Sequence, residues 1–188
     1  MKQIKQSWLV SLKMLGIMTV ICGGFYTFLV TGMAQVIFPD QANGSVIEAS
    51  DQTGQKRIVG SNLIGQSFMG AGFLHGRPEN EASNLSPVSE EQRDLVMTRI
   101  TEIKKTNPQG KEIPSELVLA SGSGLDPEIS LAGAEFQVER IATARQLEPL
   151  EVKKVIEKHT SGHVFGKIGI ARVNVLGVNL ELEGYKIK

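Results

Sequence analysis

The stretch MLGIMTVICGGFYTFLVTGMAQVIF, Met14 to Phe38, is 25 consecutive residues without a formal charge. As a helix rising about 1.5 Å per residue it reaches roughly 37 Å, enough to cross a hydrocarbon core of about 30 Å with some tilt. Its flanks set a direction. Lys2, Lys5 and Lys13 precede it and no acidic residue occurs before Asp40. The positive-inside bias therefore predicts a cytoplasmic N-terminus over 1–13, a transmembrane helix over 14–38 and an extracytoplasmic remainder over 39–188. Trp8 can mark the inner interface, and Pro39-Asp40 ends the span.

A cleaved signal peptide is the main competitor, since Met33-Ala34-Gln35 offers a small residue near a cut. Signal h-regions run to about 7–15 residues, and this run is far longer. Cys22 follows Thr19-Val20-Ile21 and lacks the small residue that a lipoprotein signal needs. As the sole cysteine, it can form no intrachain disulfide and reads as an apolar packing residue.

Outward from the span, composition narrows the classes. The 20 Lys and Arg include the three N-terminal lysines, whereas all 20 Asp and Glu follow Phe38, so residues 39–188 carry a formal charge of −3. Nothing in them resembles a nucleic-acid-binding stripe. About 150 residues suffice for one domain with its own core. The expectation is an α+β fold: one N-terminal transmembrane helix, then one mixed domain of helices against a small sheet.

Within it, 40–85 reads as loops and short strands around Ser45-Val46-Ile47 and Arg57-Ile58-Val59. A helix is expected next, capped by Ser86 with Pro87 in its first turn, carrying Val88, Leu95, Val96, Ile100 and Ile103 at helical spacing and stopped by Asn107-Pro108. Ile113 to Ala120 reads as a strand entering a glycine-rich turn. Asp126 is the expected cap of a helix starting at Pro127, which uses Ile129, Ala132 and Phe136 and resumes through Ile141 and Ala144. Glu148 to Lys158 is another helix, ended by His159 to Gly162. Arg172 to Leu176 and Val178 to Leu182 alternate with the period of half-buried strands, with a bulge expected at Gly177.

Catalytic chemistry is hard to assemble from these residues. His75, His159 and His163 are scattered, and Ser161-Gly162 breaks any helix that would let the latter two share a metal. Ser121-Gly-Ser-Gly has the wrong register for a nucleophile elbow, and Gly162 to Lys167 is one residue short of a phosphate loop. Polar density instead gathers at 121–145. Ser121, Ser123 and Asp126 could present donors to an anion or a partner carbonyl, with Gln137, Arg140 and Arg145 beyond them. On the plainer reading, Asp126 is only a cap and the arginines are solvated or paired with Glu135, Glu139 or Glu148.

The motifs Ser121-Gly-Ser-Gly-Leu-Asp-Pro-Glu-Ile-Ser130, Ala134-Glu-Phe-Gln-Val-Glu-Arg140-Ile-Ala-Thr-Ala-Arg145 and Arg172-Val-Asn-Val-Leu176 with Asn179 closely resemble the C subunit of the bacterial Kdp-type potassium-transporting ATPases. Gly60 to Phe68, Gly76-Arg77-Pro78 and Asn84-Leu85 extend the likeness along nearly the whole chain. Glu128, Leu131 and Glu139 depart from it. The third stands where that family has a proline, which should make the 128–145 helices more continuous.

The resemblance implies a non-catalytic accessory subunit of the bacterial inner membrane, needed for assembly of an ATP-driven potassium uptake complex. Its implied partners are a channel-like potassium-selecting subunit, a P-type ATP-hydrolysing subunit, a very small membrane peptide and the lipid bilayer. No cofactor or metal of its own is implied, and ATP enters through the complex. In that family the subunit is proposed to act as a catalytic chaperone that raises ATP affinity, and the position of Gln137 is likened to a nucleotide contact. Ser121, Ser123, Asp126, Arg140 and Arg145 are the corresponding partner-interaction candidates. The lysine asymmetry opposes a direct ATP contact, because it puts Gln137 outside. It favours docking on the outer face of the potassium-selecting subunit, with an allosteric effect on ATP. The alternative is a membrane-anchored extracytoplasmic binding or hydrolytic domain.

Overall fold

The computed structural model describes residues 2–50, 56–79, 85–108, 112–162 and 169–187. Asn84, His163 and the Gly166-Lys167 pair fall outside them. The chain forms two compact units, one up to residue 45 and one from 46 onward.

The first unit is helical from well before Met14. α1 (Lys2–Met18) runs into a wide π-helical turn (Thr19–Tyr26) and on into α2 (Thr27–Ile37). Residues Gln6–Ile37 are long and apolar enough to cross a membrane. Within the wide turn the Thr27 hydroxyl donates to the Cys22 carbonyl, five residues back, at 3.0 Å. Phe38 leaves the helix at φ −135° and ψ 59°, because the ring of Pro39 excludes the preceding residue from the α region. Pro39 then opens the short α3 (Pro39–Ala42).

The second unit contains two three-stranded antiparallel sheets. β1 (Val46–Ser50) lies between β2 (Lys56–Ser61) and β6 (Lys186–Ile187), with a bulge at Ile47/Glu48. β5 (Arg172–Asn174) lies between β3 (Glu128–Ser130) and β4 (Thr160–Ser161). The helices are α4 (Glu90–Thr106), α5 (Leu131–Glu135), α6 (Val138–Arg145), α7 (Pro149–Lys158) and α8 (Val175–Leu182). Ile129, Val138, Ile141, Val152, Ile156, Val173 and Val178 form the main core, and Ile47, Leu176 and Leu180 form a smaller one. α8 feeds both.

Five sequence expectations are corrected here. The helix expected from Ser86 begins three residues later, with Ser89 as the cap whose hydroxyl accepts from the Gln92 N–H. Ser86 instead closes the preceding turn, its carbonyl taking the N–H and hydroxyl of Ser89. Ile113 to Ala120 is no strand but holds a short 3-10 turn, Ser115–Leu117. Asp126 caps no helix. Its Oδ1 takes the Glu128 N–H at 3.1 Å, an Asx turn that sends the chain into β3, and the cap of α5 is Ser130.

The fourth correction is the largest. Val175 to Leu182 is a helix, capped by the Asn174 side chain on the Gly177 N–H at 2.8 Å. Every residue from Val175 to Leu180 is buried, and a helix covered all round carries no amphipathic period to distinguish it from a strand. The absent proline at Glu139 does not merge α5 and α6 into one regular helix, since a tighter turn at Phe136-Gln137 separates them.

The cap assignment has a measurable consequence. Ser89→Ala is expected to cost about 1 kcal/mol of stability, with Ser86→Ala costing less, in paired urea denaturations of the full chain in detergent. Equal losses would return the cap to Ser86.

Candidate functional site

Three of the six polar residues singled out by sequence, Gln137, Arg140 and Arg145, converge on one segment of the second unit, Gly70 to His75, which turns over Gly70 to Phe73 before running on through Leu74 and His75. Gln137 is 2% exposed, and its amide runs alongside His75 as a neighbouring strand would. Oε1 accepts the His75 N–H at 2.9 Å, while Nε2 donates to the His75 carbonyl at 2.9 Å and to the Gly133 carbonyl at 3.1 Å. Asn179, from α8, does the same one residue earlier. It accepts the Leu74 N–H at 2.7 Å and donates to the Leu74 carbonyl at 2.9 Å. Two side-chain amides thus satisfy both backbone groups of two consecutive residues, the buried Leu74 and the half-buried His75, which secondary structure would otherwise have to do.

The arginines continue this clamp. Arg140 donates from Nη2 to Gln137 Oε1 at 2.6 Å, from Nη1 to the Ala71 carbonyl at 2.6 Å and from Nε to Asn107 Oδ1 at 3.1 Å. Arg145 donates to the carbonyls of Gly72, at 2.5 Å, and Leu182, at 2.8 Å, pairs with Glu183 at 2.5 Å, and lies 5.1 Å from the Phe73 ring centre. The expected pairing with Glu135, Glu139 or Glu148 is therefore replaced by backbone carbonyls and, for Arg145, Glu183. Neither guanidinium is simply solvated.

Ser121, Ser123 and Asp126 belong to a second cluster. Arg77 organises it, reaching Asp126 Oδ2 at 3.4 Å and the carbonyls of Leu119 and Ala120 at 3.2 and 3.0 Å. Ser121 is buried and lies 3.4 Å from the Ser123 hydroxyl, which takes the Leu125 N–H. Gly65 donates to the Leu125 carbonyl at 2.9 Å. A side chain there would meet the Asp126 carbonyl oxygen at 2.7 Å, so the close approach of the two loops requires glycine. Arg77 was visible in sequence only as part of a motif. His75 and Asn107 gave no ligand-like signal, because their partners lie 62 and 33 residues away.

Two cavities flank the clamp. One of about 170 Å³ is lined by His75, Arg99, Glu102, Phe136 and Gln137 among others. A groove of about 680 Å³ runs between the C-terminal end of α4 and the outer face of α6. They share Thr106, Asn107 and Phe136 as a common wall. Among the described residues no three His, Cys, Asp or Glu side chains converge. His159 bonds Glu181 at 2.7 Å, and Lys158 meets the same carboxylate at 2.8 Å.

The electrostatics predict acid sensitivity. Burial, reinforced by the Arg140 charge, pushes the His75 imidazole below its ordinary 6.5 despite its bond to the Gly70 carbonyl. The unfolded chain therefore takes up this proton before the folded one, so the contribution is complete above about pH 6.5 and is lost as the pH falls below it. Burial alone would raise the Glu181 carboxyl, but the hydrogen bonds and charges of Lys158 and His159 outweigh it and hold it below 4.5. Its contribution is present above that value and lost at lower pH. Urea midpoints taken from about pH 8 to 4 are expected to fall first below 6.5, with His75→Gln flattening that first decline only. A His75→Gln profile identical to wild type would refute the assignment.

Comparison with known proteins gives one consistent result. The family model described as "KdpC: K+-transporting ATPase, c chain" matches residues 8–184. The chain is 42% identical over 203 residues to the potassium-transporting ATPase KdpC subunit of Clostridium botulinum (strain Eklund 17B / Type B), covering 98% of each chain. It is 43% identical over 190 residues to that of Listeria monocytogenes serotype 4a (strain HCC23), covering all of both. With that of Herminiimonas arsenicoxydans it shares 39% over 185 residues, covering 92% of this chain and 95% of the relative.

Proposed function

Because the chain belongs to the KdpC family of K+-transporting ATPase c chains, and is thus an accessory subunit of a potassium-transport complex, we propose that it works without catalytic residues of its own, as a membrane-anchored docking and regulatory domain. The apolar helix crosses the bacterial inner membrane with the lysine-bearing N-terminus in the cytoplasm, and residues 39–188 lie outside. The domain docks on the outer face of a channel-like potassium-selecting subunit. A P-type ATP-hydrolysing subunit and a very small membrane peptide complete the assembly.

Any rise in ATP affinity is then transmitted through the assembly, with no nucleotide touching Gln137. The observation that carries this reading is the Gln137 amide, whose oxygen and nitrogen are both engaged by His75, Gly133 and Arg140. A nucleotide contact would have to displace those bonds. Ser123 and Asp126, around Arg77 and beside the buried Ser121, are the better candidates for meeting a partner, since Ser123 and the neighbouring Gly122 and Leu125 face solvent.

Sidedness tests it. In a Cys22→Ser background, Glu157→Cys, at an exposed position of α7, is expected to react with a membrane-impermeant maleimide in intact cells. Reaction only after lysis would place the domain in the cytoplasm and reopen direct ATP contact.

A further inference from the structure

Arg140 is an arginine in an unusual electrical position. It is 8% exposed, yet its partners are Asn107, Gln137 and the carbonyls of Gly70 and Ala71, all neutral. These four acceptors leave one of its five N–H groups without a partner among the described residues. No carboxylate among them lies within ion-pairing distance of it. Burial lowers its pKa to about 10, so it stays charged at neutral pH, and a buried charge is strongly stabilised by a counter-charge.

The groove of about 680 Å³ is lined by Arg140 together with Ala71 and Asn107, the residues that hold its guanidinium. Lys105 lines it from the end of α4, and the exposed Glu135 and Glu139 line it from α5 and α6. The buried charge in the groove is positive, and its exposed charges are of both signs. Neither glutamate turns back to neutralise Arg140.

We propose that this groove receives a segment of another subunit of the transport complex in which an aspartate or glutamate stands beside a basic residue. The acid seats on Arg140 and Lys105, and its basic neighbour meets Glu135 and Glu139. The inference rests on the family reading for the presence of a partner, and on the groove alone for its chemistry. A polyphosphate or lipid phosphate would meet the same guanidinium but would bring its remaining negative charge against the two glutamates. The occupant that matches both signs is a peptide. α4 is the natural element to respond to it, since none of its residues is buried and Asn107, at its end, is bonded to Arg140.

The test uses the assembled complex in native membranes, with benzoylphenylalanine in place of the exposed groove residue Thr143. Irradiation followed by mass spectrometry is expected to map the cross-link to a peptide of another subunit that contains an acidic residue beside Lys or Arg. Lys105→Glu is expected to lower the yield about tenfold, and reversing the mapped acidic residue to Arg in that background should restore it. A cross-link to lipid, to nucleotide or to a peptide lacking a carboxylate overturns the inference. So does no cross-link from a subunit that still co-purifies with the complex. A subunit that fails to co-purify overturns the complex-subunit reading itself.

Discussion

Gln137→Leu is expected to destabilise the full chain by about 3 kcal/mol, read from the urea midpoint in detergent at constant m-value. Leucine is close in volume, so little is lost in packing. What is lost is the partner of the His75 N–H, the His75 and Gly133 carbonyls and an Arg140 N–H. Orphaning a buried polar group costs about 1–3 kcal/mol each. The sum is not reached, because the cavity of about 170 Å³ that touches both His75 and Gln137 lets water reach some of the exposed groups.

Gln137→Glu should behave differently. Its carboxylate still accepts from His75 and gains a charge partner in Arg140, but it opposes the His75 and Gly133 carbonyls, so its cost should shrink as acid protonates it. Asn179→Leu extends the argument to function. Asn179 clamps the neighbouring residue Leu74, so if Gln137 acts by holding the segment, both leucine variants should shift the ATP affinity of the complex in the same direction. A large shift for Gln137→Leu beside no shift for Asn179→Leu, at matched stability, would restore a nucleotide contact at Gln137.

Local rules were legible in the sequence wherever one residue type answers to one physical need. The uncharged run declared a long helix by length alone. Pro149 behind Glu148 gave α7 its start, and Glu148 and Glu151 complete a capping box there. β1 and β2 followed from short β-branched runs. Legibility failed where two capping residues competed, as with Ser86 and Ser89, both followed by plausible first turns. It failed again at Val175 to Leu182, where complete burial erased the period. At the candidate site, the residue types were right and their object was not. Gln137, Arg140 and Arg145 looked like donors awaiting a ligand, but they are donors to a backbone segment some 60 to 73 residues away in sequence, and no local pattern encodes that distance.

Gly177 joins that failure to a second strong expectation. The strand-like pattern predicts a bulge there, whereas Gly177 sits in the first turn of α8, where ordinary helix propensity favours alanine over glycine by about 1 kcal/mol. Gly177→Ala is nonetheless expected to destabilise by about 2 kcal/mol. The added Cβ would lie 2.6 Å from His159 Nδ1 and 3.2 Å from two ring carbons. The ring has little room to withdraw, because Nε2 is held by Glu181, which Lys158 holds in turn. The alternative is for α8 to move, which would pull Asn174 off the Gly177 N–H and Asn179 off Leu74. A second change separates close approach from every other cause. His159→Ser removes the ring, so in that background Gly177→Ala should lose most of its penalty, giving a coupling of about 1–2 kcal/mol between the two sites. If Gly177→Ala stabilises the wild-type protein, propensity has won and the contact with His159 is soft. If it destabilises equally in both backgrounds, the glycine is required by the path of α8 rather than by the imidazole beside it.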